Sequence, residues 1–157
     1  ELVLQDINGE RKVAIRDFYC LDGIESNQLQ EGELLVAIEI PLSAGKQLHY
    51  EKLAIRNTLD FASVGVAVAI SERAEEEGFE LELALTGIQT KPGYLSFSSQ
   101  DFADTDAMLD QACLQADKFS LIYQQDFFPR AYRKKMIAVF IRRCFEHLKG
   151  KDSPCRH

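Results

Sequence analysis

The sequence predicts an α+β fold in which a three-stranded antiparallel sheet is packed by helices and preceded by a β-hairpin and one further strand. Three observations predict it. Residues 48–88 contain three stretches of period-two alternation, residues 105–148 contain two stretches of helical spacing, and the first residues alternate on both sides of Asn8-Gly9.

Taken in order, "ELVLQDINGERKVAIRDF" reads as a hairpin, with Asn8-Gly9 as the dipeptide best suited to a type I′ turn. Residues 19–33, carrying Gly23, Ser26, Asn27 and Gly32, read as a loop. "ELLVAIEIP" is a strand ended by Pro41, and "LSAGKQ" connects it to the next. From Leu48 to Arg56, alternation places Tyr50, Lys52, Ala54 and Arg56 on one face and His49, Glu51, Leu53 and Ile55 on the other. Val64, Val66, Val68 and Ile70 then alternate with Gly65, Ala67 and Ala69, giving a strand with one bulky and one smooth face. "ERAEEEG" is a solvated turn, and "FELELALTGI" completes an antiparallel meander. A first helix runs from a cap at Asp104 or Thr105 to about Lys118, with Met108, Leu109, Ala112, Cys113 and Ala116 as its apolar positions. A second starts at Pro129 and ends near Gly150. Its stripe is Tyr132, Met136, Ile137, Phe140, Ile141, Cys144 and Leu148, with Arg133, Lys134, Arg142, Arg143 and Lys149 on the remainder.

At 157 residues and 46% hydrophobic, the chain can bury one main core. No apolar run reaches the roughly 20 residues a membrane-spanning helix needs, and "ELVLQDINGE" has no export-signal pattern. A soluble protein is expected. The lack of an initiator Met, with strand-like sequence from the first residue, gives the expectation of a piece of something longer. Cys20, Cys113, Cys144 and Cys155 form no CxxC pair, and His49, His147 and His157 are scattered, so reduced thiols are expected and neither a zinc nor an iron–sulfur site is legible.

The net charge of −7 is unevenly spread. Residues 1–128 hold 9 Lys+Arg against 23 Asp+Glu, net −14, whereas residues 129–157 hold 9 against 2, net +7. A basic end on an acidic body is expected to pack or steer against that body, and the interleaving that marks nucleic-acid binders is missing.

No hydrolase, metalloprotease, phosphate-loop or dinucleotide motif stands out. The chemistry rests on Lys52 and Arg56. These cations either pair with local acids such as Asp60 or bind an anion or polar ring beside the smooth strand, where Gly65, Ala67 and Ala69 leave room for a planar group. Asp60 stands where it can orient either cation. A cofactor-free module docking on an acidic partner through its basic last helix is the alternative function.

Five fragments in order, "GERKVAIRDFY", "EGELLVAIEIP", "YEKLAIRNTLDFASVGVAVAI", "LALTGIQTKP" and "AYRKKMIAVFIRRCFEHL", carry a likeness to a known family. Over almost its whole length the chain resembles the FAD-binding (medium) subunit of the molybdenum hydroxylases, the xanthine dehydrogenase and carbon monoxide dehydrogenase group. The resemblance implies that residues 1–44 end an FAD-binding domain, that 45–150 form the flavoprotein C-terminal domain, and that 151–157 are a tail. It implies FAD as cofactor, taking electrons from iron–sulfur clusters and passing them to NAD or another acceptor, in a cytoplasmic oxidoreductase. The partners it implies are iron–sulfur and molybdopterin subunits or domains and an N-terminal FAD-binding region, with no nucleic acid and no membrane.

The family's K-x-A-x-R lysine lies beside the flavin, and Lys52 occupies that position. Backbone near Leu35 is implied to pass the isoalloxazine, with Arg56 and Asp60 in support. A cation there favours the reduced, anionic ring. The family's two glycine-rich phosphate loops lie upstream of the matched region, so this chain alone is expected to hold flavin weakly or not at all. "GYLSFSSQDF" after Lys91-Pro92 and "DFFPRAYR" before the last helix depart from the family pattern.

Overall fold

The computed structural model describes residues 1–42, 45–56, 59–72, 78–122 and 127–150. The solvated turn expected at 72–78 lies mostly outside them, as do the tail and Cys155. The chain falls into two compact units, one of Glu1–Ala44 with Thr90–Pro92 and one of Gly45–Gln89 with Gly93–His157.

In the first unit, β1 (Leu2–Asp6) and β2 (Gly9–Val13) form the expected hairpin. Its turn is not type I′, because neither Ile7 nor Asn8 has a positive φ. The Asp6 carboxylate closes it instead, accepting from the amides of Asn8 and Gly9 at 2.7 and 3.0 Å. The hairpin also ends earlier than the alternation indicates. Ile15–Phe18 winds into one helical turn, α1, with the amides of Asp17 and Phe18 donating to the Ala14 carbonyl. That turn buries Phe18 against Leu2 and Leu4. The loop that follows is pinned by a Tyr19–Asn27 bridge. β3 (Leu34–Ile38) pairs antiparallel with β1, giving the order β2-β1-β3, and all five β3 residues are exposed.

Arg11 ties β2 to the segment before β3. Its guanidinium donates to both oxygens of Glu33, at 2.6 and 2.8 Å, and the Gln30 amide adds a third bond to that carboxylate. The Arg11 hydrogen bond is the main reason the Glu33 carboxyl is pulled down to about 2.

The second unit holds β4 (Lys46–Leu53), β5 (Val64–Glu72), β6 (Phe79–Thr86) and β7 (Gly93–Ser98), an antiparallel meander in sequence order. The three expected strands are present, and β7 adds a fourth where the sequence departs from the family pattern. It forms because Leu95 and Phe97 continue the inward row opposite Leu83 and Leu81. Val64, Val66, Val68, Leu81, Leu83 and Leu85 share that inner face and lie in one core with the two helices.

α2 (Thr105–Phe119) is capped by Asp104, whose carboxylate accepts from the Ala107 amide at 2.7 Å, and it buries Met108, Leu109, Ala112 and Ala116. α3 (Arg130–Gly150) buries Ile137, Phe140, Ile141, Cys144, Phe145 and Leu148. Each such side chain contributes about 1.5–3 kcal/mol of burial. The stripe is phased differently at its start. Tyr132 is 44% exposed, and Arg133, expected on the solvated side, is only 4% exposed. Its guanidinium is received by backbone carbonyls, donating to Ser63 at 2.6 Å and Gly87 at 2.7 Å. At the other end of α3, His147 stacks on His49 of β4 with ring centroids 3.8 Å apart.

Because the Glu33 carboxyl is depressed, its stabilisation of the first unit is complete above the ordinary carboxylate range and is lost as pH falls toward about 2. Glu33→Gln is expected to remove that acid-dependent component, so that an acid titration of β1–β2 amide signals differs from wild type below about pH 4.5.

Candidate functional site

Alternation along β4 sends Leu53 into the core and leaves Tyr50 and Lys52 exposed on the opposite face. The Lys52 ammonium donates to the backbone carbonyl of Asp60 at 3.0 Å. The Asp60 carboxylate accepts from the amides of Arg56 and Phe61, both at 3.0 Å, and from the Arg56 guanidinium at 3.3 Å. Hydrogen bonding to Arg56 is the main cause that holds the Asp60 carboxyl below its usual range. One residue therefore orients both cations, through its carbonyl for Lys52 and its carboxylate for Arg56.

Arg56 is not on the strand with Lys52, as the alternation predicts. β4 ends at Leu53, whose carbonyl accepts from the Ser63 amide at 2.7 Å and closes the ladder. Beyond that point Asp60 captures the Arg56 amide, so the chain turns into a loop. Arg56, Leu59, Asp60 and Phe61 line a recess of about 280 Å³ on it. Leu59 and Phe61 are 92% and 96% exposed, placing apolar surface beside the guanidinium. The sequence signal for them is the apolar–Asp–apolar order of "LDF", which the reading of charges passes over.

The smooth strand is less open than its composition predicts. A Cβ at Gly65 would lie 2.6 Å from the Tyr50 hydroxyl oxygen and 2.5 Å from Thr86 Oγ1, so those side chains already occupy the space above that glycine. Ala69 is buried as well. Room for a planar group directly over Gly65 is thus taken up by Tyr50 and Thr86. Leu35, the remaining predicted site residue, belongs to the first unit, where it sits opposite Leu4 on β3 and is 44% exposed.

The basic face of α3 is largely spent within the second unit. Lys134 pairs with Asp117, Arg142 with Asp110 and Arg143 with Glu51, while Lys149 lies over the Phe79 ring. Exposed pairs of this kind contribute about 0–1 kcal/mol each, but they neutralise the patch that the docking alternative needs. Cys144 is fully buried, and burial pushes its thiol up to about 11, which makes it a core side chain and no nucleophile. Among the described residues, no group of three or more His, Cys, Asp or Glu is arranged to hold a metal, and no helix is long and apolar enough to cross a membrane.

No family model matches the chain. It is 30% identical over 147 residues to the carbon monoxide dehydrogenase medium chain of Afipia carboxidovorans, covering 91% of this chain and 50% of that protein. A chain in the crystal structure of cyanide-inactivated Cu,Mo-CO dehydrogenase matches with a TM-score of 0.75 at 30% identity, covering 95% of this chain and 52% of that one. In sequence and fold the chain resembles the medium subunits of the molybdenum hydroxylase family. A second medium chain, that of glyceraldehyde dehydrogenase from Sulfolobus acidocaldarius, is 32% identical over 91 residues, covering 58% of this chain and 31% of that protein. The chain spans about half the length of the carbon monoxide dehydrogenase medium chain it matches.

In a medium-subunit fold of this kind the Asp60 loop presents the exposed cations, so loosening it should be visible without any ligand. Asp60→Ala is expected to speed trypsin cleavage after Arg56 by about tenfold, corresponding to the loss of roughly one charge-assisted hydrogen bond. An unchanged cleavage rate would show that Asp60 does not order the loop.

Proposed function

We propose that this chain is the C-terminal part of a flavoprotein subunit and helps position FAD for electron transfer from iron–sulfur clusters to an acceptor such as NAD. In the intact subunit the cofactor would supply the two-electron redox chemistry. The observation that carries the reading is Lys52, exposed on the outer sheet face and held by Asp60 beside a recess that pairs a guanidinium with apolar side chains. A fixed cation next to apolar surface suits a flat ring that gains negative charge on reduction.

In this reading Lys52 borders the isoalloxazine. Asp60 keeps the ammonium aimed, and Arg56 adds positive potential near the ring. Only one of the three ammonium donors of Lys52 is committed to Asp60, so the group retains hydrogen-bonding capacity toward a ligand. The phosphates would be held elsewhere, by the N-terminal FAD-binding region that the relatives' extra length accommodates. The five exposed apolar residues of β3 support covering by that region. Iron–sulfur and molybdopterin subunits complete the assembly, in the cytoplasm.

The test is a redox titration of FAD in the full-length subunit. Lys52→Ala is expected to lower the flavin potential by on the order of 30 mV, the equivalent of about 1.4 kcal/mol for a two-electron couple, because the reduced ring loses a cation. A titration curve superimposing on wild type would remove Lys52 from the site.

A further inference from the structure

We infer that Arg133 is a positioning residue that sets the exit of the Lys52–Asp60 loop, and through it the placement of the Lys52 ammonium. Its bearing on flavin rests on the reading above, whereas its hold on the loop does not.

Sequence rules argue against a guanidinium at this position. Arg133 lies in the first turn of α3, where the helix dipole disfavours positive charge, and it is buried, where an unpaired charge is costly. Charge-assisted hydrogen bonds to the carbonyls of Ser63 and Gly87 help to offset both penalties. Ser63 immediately precedes β5 and Gly87 immediately follows β6, so a single guanidinium ties together two ends of neighbouring strands.

Gly87 makes the convergence possible. Its φ is +72°, and a Cβ there would come within 2.3 Å of the Ser63 carbonyl oxygen, so only glycine lets the two segments approach this closely. Two carbonyl dipoles brought together this way repel each other, and the cation between them offsets that repulsion.

From Ser63 the effect runs back along the loop. The Ser63 amide fixes the Leu53 carbonyl at the end of β4, Asp60 fixes the amides of Arg56 and Phe61, and the Asp60 carbonyl receives the Lys52 ammonium. With both ends of the loop pinned, the position of the Asp60 carbonyl is set by the scaffold. Arg133 acts on Lys52 through Ser63 and the Asp60 loop, which makes it a positioning residue.

Amide hydrogen exchange on the 157-residue chain tests this without flavin. Arg133→Met is expected to speed exchange at Arg56, Phe61 and Ser63 by at least about tenfold while Val68 and Leu83 in the core keep their protection. The Lys52 side-chain NMR signals should shift, and Arg133→Lys should restore both readouts in part, because an ammonium can still reach one carbonyl. In wild type, the denaturant dependence of Ser63 exchange should merge with that of the core, which supplies a test if the Met variant fails to fold. Loop exchange that rises only in step with the core, an unmoved Lys52 signal, or a wild-type Ser63 amide that opens far below the global transition would each overturn the inference. A normal result here alongside an unchanged flavin potential in Lys52→Ala would leave the clamp standing and remove only the flavin reading.

Discussion

The register of β4 against β5 is the constraint on which the rest depends. Lys52 lies opposite Gly65 and Leu53 opposite Val64, so the core residue and the site residue are adjacent in sequence and point to opposite faces. A slip by one residue would bury the ammonium and expose the leucine. The valines of β5 prevent it, because Val64, Val66 and Val68 are fully buried under α3 and have nowhere else to go. Packing thus fixes the orientation of a charged residue that makes no core contact of its own.

Burial on one side of this sheet also explains how the charges are used. The acidic body and the basic last helix neutralise each other across α2, α3 and β4, through Asp117, Asp110 and Glu51. Arg133 differs in being buried, where its guanidinium donates to the backbone carbonyls of Ser63 and Gly87. Where a cation meets backbone, it orders chain; where it meets a surface acid, it contributes little.

Much of this was legible in the sequence, and the losses have identifiable causes. Period-two alternation located the hairpin and the meander, and helical spacing with Asp104 located α2. The turn at Asn8-Gly9 escapes dihedral preference because a neighbouring carboxylate, Asp6, competes for control of the backbone. Alternation continues in the letters to Arg56 after the ladder has been closed by Ser63, so the pattern overruns the strand. Gly93, Ser96 and Ser98 dilute the pattern of β7, and it is tertiary pairing with β6 that selects strand there. Helical spacing puts Arg133 on the solvated side, because no single-sequence rule anticipates two carbonyls converging on a buried guanidinium.

The site was legible as a pair of cations with a nearby acid, but its shape was not. Gly65 promised open space that Tyr50 occupies, and the apolar surface came from Leu59 and Phe61 on the loop. The flavin proposal requires this loop to hold the Lys52 ammonium against the isoalloxazine of a complete flavoprotein subunit. A structure of that subunit with FAD bound decides it: the Lys52 nitrogen is expected in contact with the ring while still bonded to the Asp60 carbonyl. A ring seated away from β4, with Lys52 facing bulk solvent, would contradict it.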